Sequence, residues 1–159
     1  MVDDRALRGQ LVELLDSSDA HASFDAAVKE FPLKFRGVVP ERWEYSAWQL
    51  VEHIRLAQAD ILEFSVGASY HAMKWPDDHW PKSPAPPSEA AWESSIESYR
   101  RDRKAMQQLA ADVQIDLLSP VPHGKKQTYL REILLVADHT AYHVGQLVAL
   151  RRQLGIWPA

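Results

Sequence analysis

The sequence predicts an all-α protein, a four-helix bundle, and three observations carry that prediction. Four long stretches space their apolar residues at helical intervals. Serine or threonine stands where three of those helices start, and glycine and proline stand where the last one stops. No alternating segments joined by a hairpin turn occur, and no internal repeat. With 159 residues, 46% hydrophobic and 25% charged, the chain reads as one globular domain over residues 1–159, long enough to bury a core.

The first helix is expected from about Asp4 to Ser17, where Ala6, Leu7, Leu11, Leu14 and Leu15 recur at helical spacing. From Asp19 to Phe31, turn formers mix with a short helical piece (Phe24, Ala27, Val28, Phe31), and Pro32, Gly37 and Pro40 interrupt the next stretch. Ser46 is a good N-cap for a second long helix to about Phe64. The stretch from Lys74 to Ser88 holds half of the ten prolines and two tryptophans, Trp75 and Trp80. Missing N–H groups bar it from helix or central strand, so it reads as a long ordered loop. Its tryptophans either cover a pocket or pin the loop to the bundle. Ser88 caps a third helix through about Ala111. A turn region with Pro120, Pro122 and Gly124 leads to the last helix, about Thr128 to Leu154, closed by Gly155 and Pro158.

That last helix is apolar over most of its circumference. Ile133, Ala137, Ala141, Val144 and Val148 form one face, and Leu135, Val136 and Leu150 line another. Only Arg131, Asp138 and Gly145 make a polar or small strip. Such a helix has to be buried, at the centre of its own bundle or against a second subunit, so a homodimer is expected.

The net charge of −4 gives no footprint for nucleic acid or for an anionic membrane surface. The basic runs Arg100-Arg101-Asp102-Arg103-Lys104 and Arg151-Arg152 read as solvated faces. The chain has no cysteine, which excludes disulfides, thiolate metal sites and a cysteine nucleophile. The segment Met1-Val2-Asp3-Asp4-Arg5 is polar with no secretory stretch behind it, and no uninterrupted apolar run reaches bilayer length. A cytoplasmic protein acting on a small molecule is the expectation.

The chemistry-bearing residues are histidines. His139 and His143 stand four apart in the last helix, so both imidazoles leave one side of it, one turn apart, and that side continues to Gln146. Neutral imidazole is the commonest metal ligand, and such a pair can close on one ion. The second long helix places Gln49, His53, Ala57 and Asp60 along one stripe. A bundle that brings the two stripes together gives three imidazoles around one point, the composition of a catalytic site with an open position. The competing reading leaves all three histidines in packing roles. Gln49, Asp60 and Gln146 are the polar residues nominated beside the ion. Asp60 lies roughly 10 Å along the axis from His53, so it serves either as a base or as a solvated residue near the helix end. Gln146 either hydrogen-bonds a ligand or packs. His21, His71, His79 and His123 fall in turns and loops and read as surface residues. Neither the Glu-x-x-His of a di-iron bundle nor the His-Glu-x-x-His of a zinc protease occurs.

Through Trp48-Gln-Leu-Val-Glu-His53 and His139-x3-His143-x2-Gln146, the chain resembles the DinB-like superfamily, which includes the YfiT-like metal-dependent hydrolases. The resemblance spans nearly the whole length. It implies a bundle in up-down-down-up order, often dimeric, and a divalent ion (zinc, nickel or iron) held by His53, His139 and His143. Relatives include bacillithiol and mycothiol S-transferases, a maleylpyruvate isomerase and domains of ergothioneine-forming enzymes. The resemblance therefore implies a metal-dependent S-transferase acting on a low-molecular-weight thiol, a hydrolase, or a non-catalytic metal-binding protein associated with stress.

Overall fold

A computed structural model describes residues 4–16 and 20–158. The helices are α1 (Arg5–Asp16), α2 (Phe24–Val28), α3 (Ala47–Val66), α4 (Glu89–Ala111) and α5 (Tyr129–Gln153), with a 3-10 turn at Leu33–Phe35 before α3. Among the described residues there is no strand, only an isolated bridge between Pro120 and Thr128. The expected end of the first helix at Ser17 and the start of the next segment at Asp19 lie outside the described residues.

Helix starts follow the capping residues. The hydroxyls of Ser23, Ser46, Ser88 and Thr128 each accept the backbone N–H three residues on, opening α2, α3, α4 and α5. Each such cap stabilises its helix by about 1 kcal/mol. Ser46 and Gln49 form a full capping box, with the Gln49 side chain returning to the Ser46 N–H. α3 runs two residues past the expected Phe64, because nothing at 64–66 removes a donor or forces a turn. At the other end of the chain, Gly155 takes φ +69° and the Ile156 N–H returns to the Arg151 carbonyl. Only glycine adopts that left-handed stop at no steric cost.

The four long helices pack on one another, α3 against α4 and α5, and α1 against α4 and α5. Two apolar clusters result. One gathers Phe24, Leu50, Ile54, Trp92, Tyr99 and Leu147, and the other gathers Leu11, Leu15, Met106, Leu109, Ile133 and Val136. The His53 stripe of α3 faces the His139/His143 stripe of α5 beside the first cluster.

Two expectations need correction. Arg151 is not on a solvated face: it is 2% exposed, and its guanidinium donates to the carbonyls of Ala27, Lys29 and Ile156. It ties the end of α2 to the end of α5, where helix carbonyls lack internal partners. Arg103 is likewise half-buried and, with Arg100, pairs with Asp25. α5 also leaves Leu134 and Tyr142 exposed, so its own bundle does not cover it all round. Taken by length and mean hydropathy, α5 is the one described helix that could cross a membrane; here Ile133, Val136, Val144 and Leu147 are buried in the two clusters.

Candidate metal centre

α3 and α5 deliver three imidazoles to one place. The Nε2 atom of His53 lies 3.1 Å from Nε2 of His143 and 3.0 Å from Nε2 of His139. One ligand atom from each ring falls within 4.8 Å of the others, close enough for the trio to hold a metal ion. His53 is 1% exposed and His143 8% exposed, so water does not satisfy these nitrogens freely.

Proton positions follow from the outer nitrogens. His53 Nδ1 sits 2.8 Å from the carbonyl oxygen of His79, which can only accept, so Nδ1 carries the proton and Nε2 is bare. His143 Nδ1 sits 2.6 Å from Oε1 of Gln146, and with the amide turned that way the oxygen accepts the Nδ1–H and leaves Nε2 bare. His139 can relieve one contact by turning an N–H toward His53. With the Gln146 amide in this orientation, a second proton or a cation would relieve the 3.1 Å contact between the two bare nitrogens; turning the amide over would instead move the His143 proton to Nε2.

A second proton is disfavoured. Burial, with the neighbouring histidines adding to it, pushes His53 down to about 4 and His139 down to about 3, and burial also lowers His143. At neutral pH the rings are therefore neutral donors facing a common point. The residues fit a divalent cation: all three are neutral imidazoles, and His53 and His143 carry the outer hydrogen bond that commonly orients metal-binding histidines.

The proline-rich loop supplies the rest of the frame. Trp80 stacks on His53 with centroids 3.7 Å apart and planes 7° apart, and Tyr45 stacks on the far face of Trp80 at 4.0 Å. His79, expected at the surface, is buried. Its Nε2 lies 3.2 Å from Oδ2 of Asp60, while its main-chain carbonyl holds His53. Asp60 also accepts the Tyr70 hydroxyl. It is thus not a solvated residue at the helix end but an anchor for the loop, outside bonding reach of the three nitrogens as its distance along α3 requires. Gln49 is committed at both ends, Oε1 to the Ser46 N–H and Nε2 to the Pro81 carbonyl. The spacing Ser46-x-x-Gln49 is a capping-box signature and could have announced that role. Gln146 is the nominated residue that touches an imidazole of the trio. The remaining histidines stay apart, His21 bonded to Ala22, His123 to Gly67, and His71 exposed.

Sequence reasoning missed His79 because its contribution is a carbonyl, which any residue offers. It missed Tyr45 because the residue lies before α3, outside the histidine stripe. The three nitrogens open into a cleft of about 520 Å³ whose walls include Tyr45, Trp75, Trp80, Leu135 and Tyr142, with Glu44 and Asp138 supplying carboxylates.

Comparison with known proteins agrees with this geometry. A family profile described as the DinB superfamily matches residues 16–147, a span that contains α2 to α4, all three histidines and most of α5. No curated protein and no solved structure gives a significant match. With most of its length covered by that profile, the chain belongs to the DinB superfamily.

Proposed function

We propose that this protein is a metal-dependent enzyme in which His53, His139 and His143 hold one divalent ion, zinc, nickel or iron, and that it acts on a small molecule by S-transfer from a low-molecular-weight thiol or by hydrolysis. The observation that carries the reading is the convergence of three imidazole nitrogens, with the Nε2 atoms of His139 and His143 3.0 Å and 3.1 Å from Nε2 of His53. An ion bound there supplies Lewis acidity, which activates a thiol or a water molecule near neutral pH.

The chain's own residues have separable tasks. His79 and Gln146 fix the tautomers of His53 and His143 through their oxygen acceptors. Trp80, backed by Tyr45, covers one face of His53 and keeps bulk water from it. The aromatic walls of the cleft bind the apolar part of a substrate and leave its reacting end at the nitrogens.

One observation favours the second reading, a metal-binding protein without turnover. Asp60 is engaged by Tyr70 and His79 and the Gln49 amide by Ser46 and Pro81, so neither side chain is turned to the three nitrogens to move a proton there. Incubation of the metal-loaded protein with bacillithiol, mycothiol or glutathione and monochlorobimane separates the two. Conjugation that stops on chelation supports the transferase; no conjugation, and no ester or amide hydrolysis, leaves the binding protein.

The proposal includes a homodimer, a cytoplasmic location and the up-down-down-up helix order. An outer strip of α5 carries Ala141, Gly145 and Ala149, and a side chain at Gly145 would meet nothing within 4 Å in its own chain. Light scattering that returns a monomer at micromolar concentration removes the dimer.

A further inference from the structure

All the formal charge that side chains contribute to the cleft above the imidazoles is negative, and a divalent ion on the three histidines would offset it. Glu44 and Asp138 contribute carboxylates, and no lysine or arginine is among the lining residues. Neither carboxylate forms an ion pair among the described residues, whereas Asp25 and Glu52 are matched by arginines. The same cleft presents open aromatic faces: Trp75 is 66% exposed and Tyr142 65% exposed. Scattered exposed aromatics need no explanation, but these two line one cleft beside two unmatched carboxylates. Carboxylates and ring faces attract the same kind of group, an organic cation, and both repel an anion.

We propose that the cleft selects a small organic cation with an apolar body, an ammonium group lying near Glu44 and Asp138 while its hydrocarbon or aromatic part rests against Trp75 and Tyr142. The proposal rests on the reading that the three histidines form the reaction centre, and it names the substrate class of that centre. It disfavours a thiol of net negative charge such as glutathione and favours a thiol or electrophile of net positive charge.

The test uses 2-phenylethylammonium and its uncharged isostere 2-phenylethanol, titrated into the full-length protein as metal-loaded and as chelated samples. Tryptophan fluorescence and calorimetry read the binding. In the chelated sample the cation is expected to bind about tenfold more tightly at low salt, and the preference should be smaller, but still present, in the metal-loaded sample, where the ion's own charge opposes it. That preference should shrink toward parity at about 1 M salt, where exposed charges are screened. It should also shrink in the Glu44→Gln, Asp138→Asn double variant, whose two sites are solvent-exposed and leave the core intact. Equal binding of the two probes, or a preference the double variant leaves unchanged, overturns the proposal. Metal content of the same samples reads the other claim separately: a protein that prefers the cation but retains no ion keeps the cation-selective cleft and loses the claim that its occupant is the substrate of a metal centre.

Discussion

Trp80 lies flat on His53, ring centroids 3.7 Å apart and planes 7° apart, while the main-chain carbonyl of the preceding loop residue takes the His53 Nδ1–H. One short piece of loop thereby fixes both the plane and the tautomer of a buried imidazole. The loop is thus part of the centre, although it contributes no nitrogen to the trio.

Removing the stack should therefore loosen the centre before it unfolds the protein. Trp80→Ala is expected to cost about 2 kcal/mol of stability, less than a fully buried tryptophan because the ring is only half-buried. Metal affinity should fall about tenfold, with Trp80→Phe recovering most of it. Denaturant unfolding and chelator competition read the two effects; unchanged affinity in Trp80→Ala removes the loop from the account.

Asp60 acts at one remove, through His79. Asp60→Ala frees the His79 ring and the Tyr70 hydroxyl, and the His79 carbonyl should drift from His53. A loss of metal affinity on the order of tenfold is expected, as for other outer partners of ligating histidines. Chelator competition measures it, and an affinity equal to the native protein's would mean that the loop is held without Asp60.

Gln146 offers a sharper contrast because its oxygen meets the His143 Nδ1–H directly, at 2.6 Å. Gln146→Leu should weaken metal binding about tenfold, and Gln146→Glu should preserve or strengthen it, since a carboxylate acceptor raises the basicity of the ring. Equal losses in both variants would make the contact a packing contact only.

The pH dependence has a definite sign. In the metal-free fold His53 is pushed down to about 4 and His139 to about 3, against an ordinary value of 6.5. Between these values the unfolded chain binds more protons than the folded one, so unfolding free energy rises with pH across this window. The metal-free protein should lose stability as pH falls from 6.5 toward about 4, and His139→Gln should flatten part of that slope. Denaturation of chelated protein over a pH series measures this, and identical slopes for native and variant would contradict it.

Much of this was legible in the sequence, and the residues show why. Ser46, Ser88 and Thr128 announce their helices because a capping hydroxyl is a local requirement, independent of what packs later. The spacing of His139 and His143 fixes their relative position by helix geometry alone. His53 needed one more assumption, that its stripe faces theirs, which the apolar residues around it and the family resemblance supplied. What stayed hidden was non-local. The path of the proline-rich loop, the His79 carbonyl and the burial of Arg151 each depend on contacts between distant segments, and main-chain oxygens carry no signature in side-chain chemistry.

The most direct test is elemental analysis of protein purified without a histidine tag and then loaded with zinc, nickel or iron. The account predicts about one divalent ion per chain, lost in each of His53→Ala, His139→Ala and His143→Ala while helical content is retained. A native protein that takes up no ion, or single variants that keep it in full, would contradict the account.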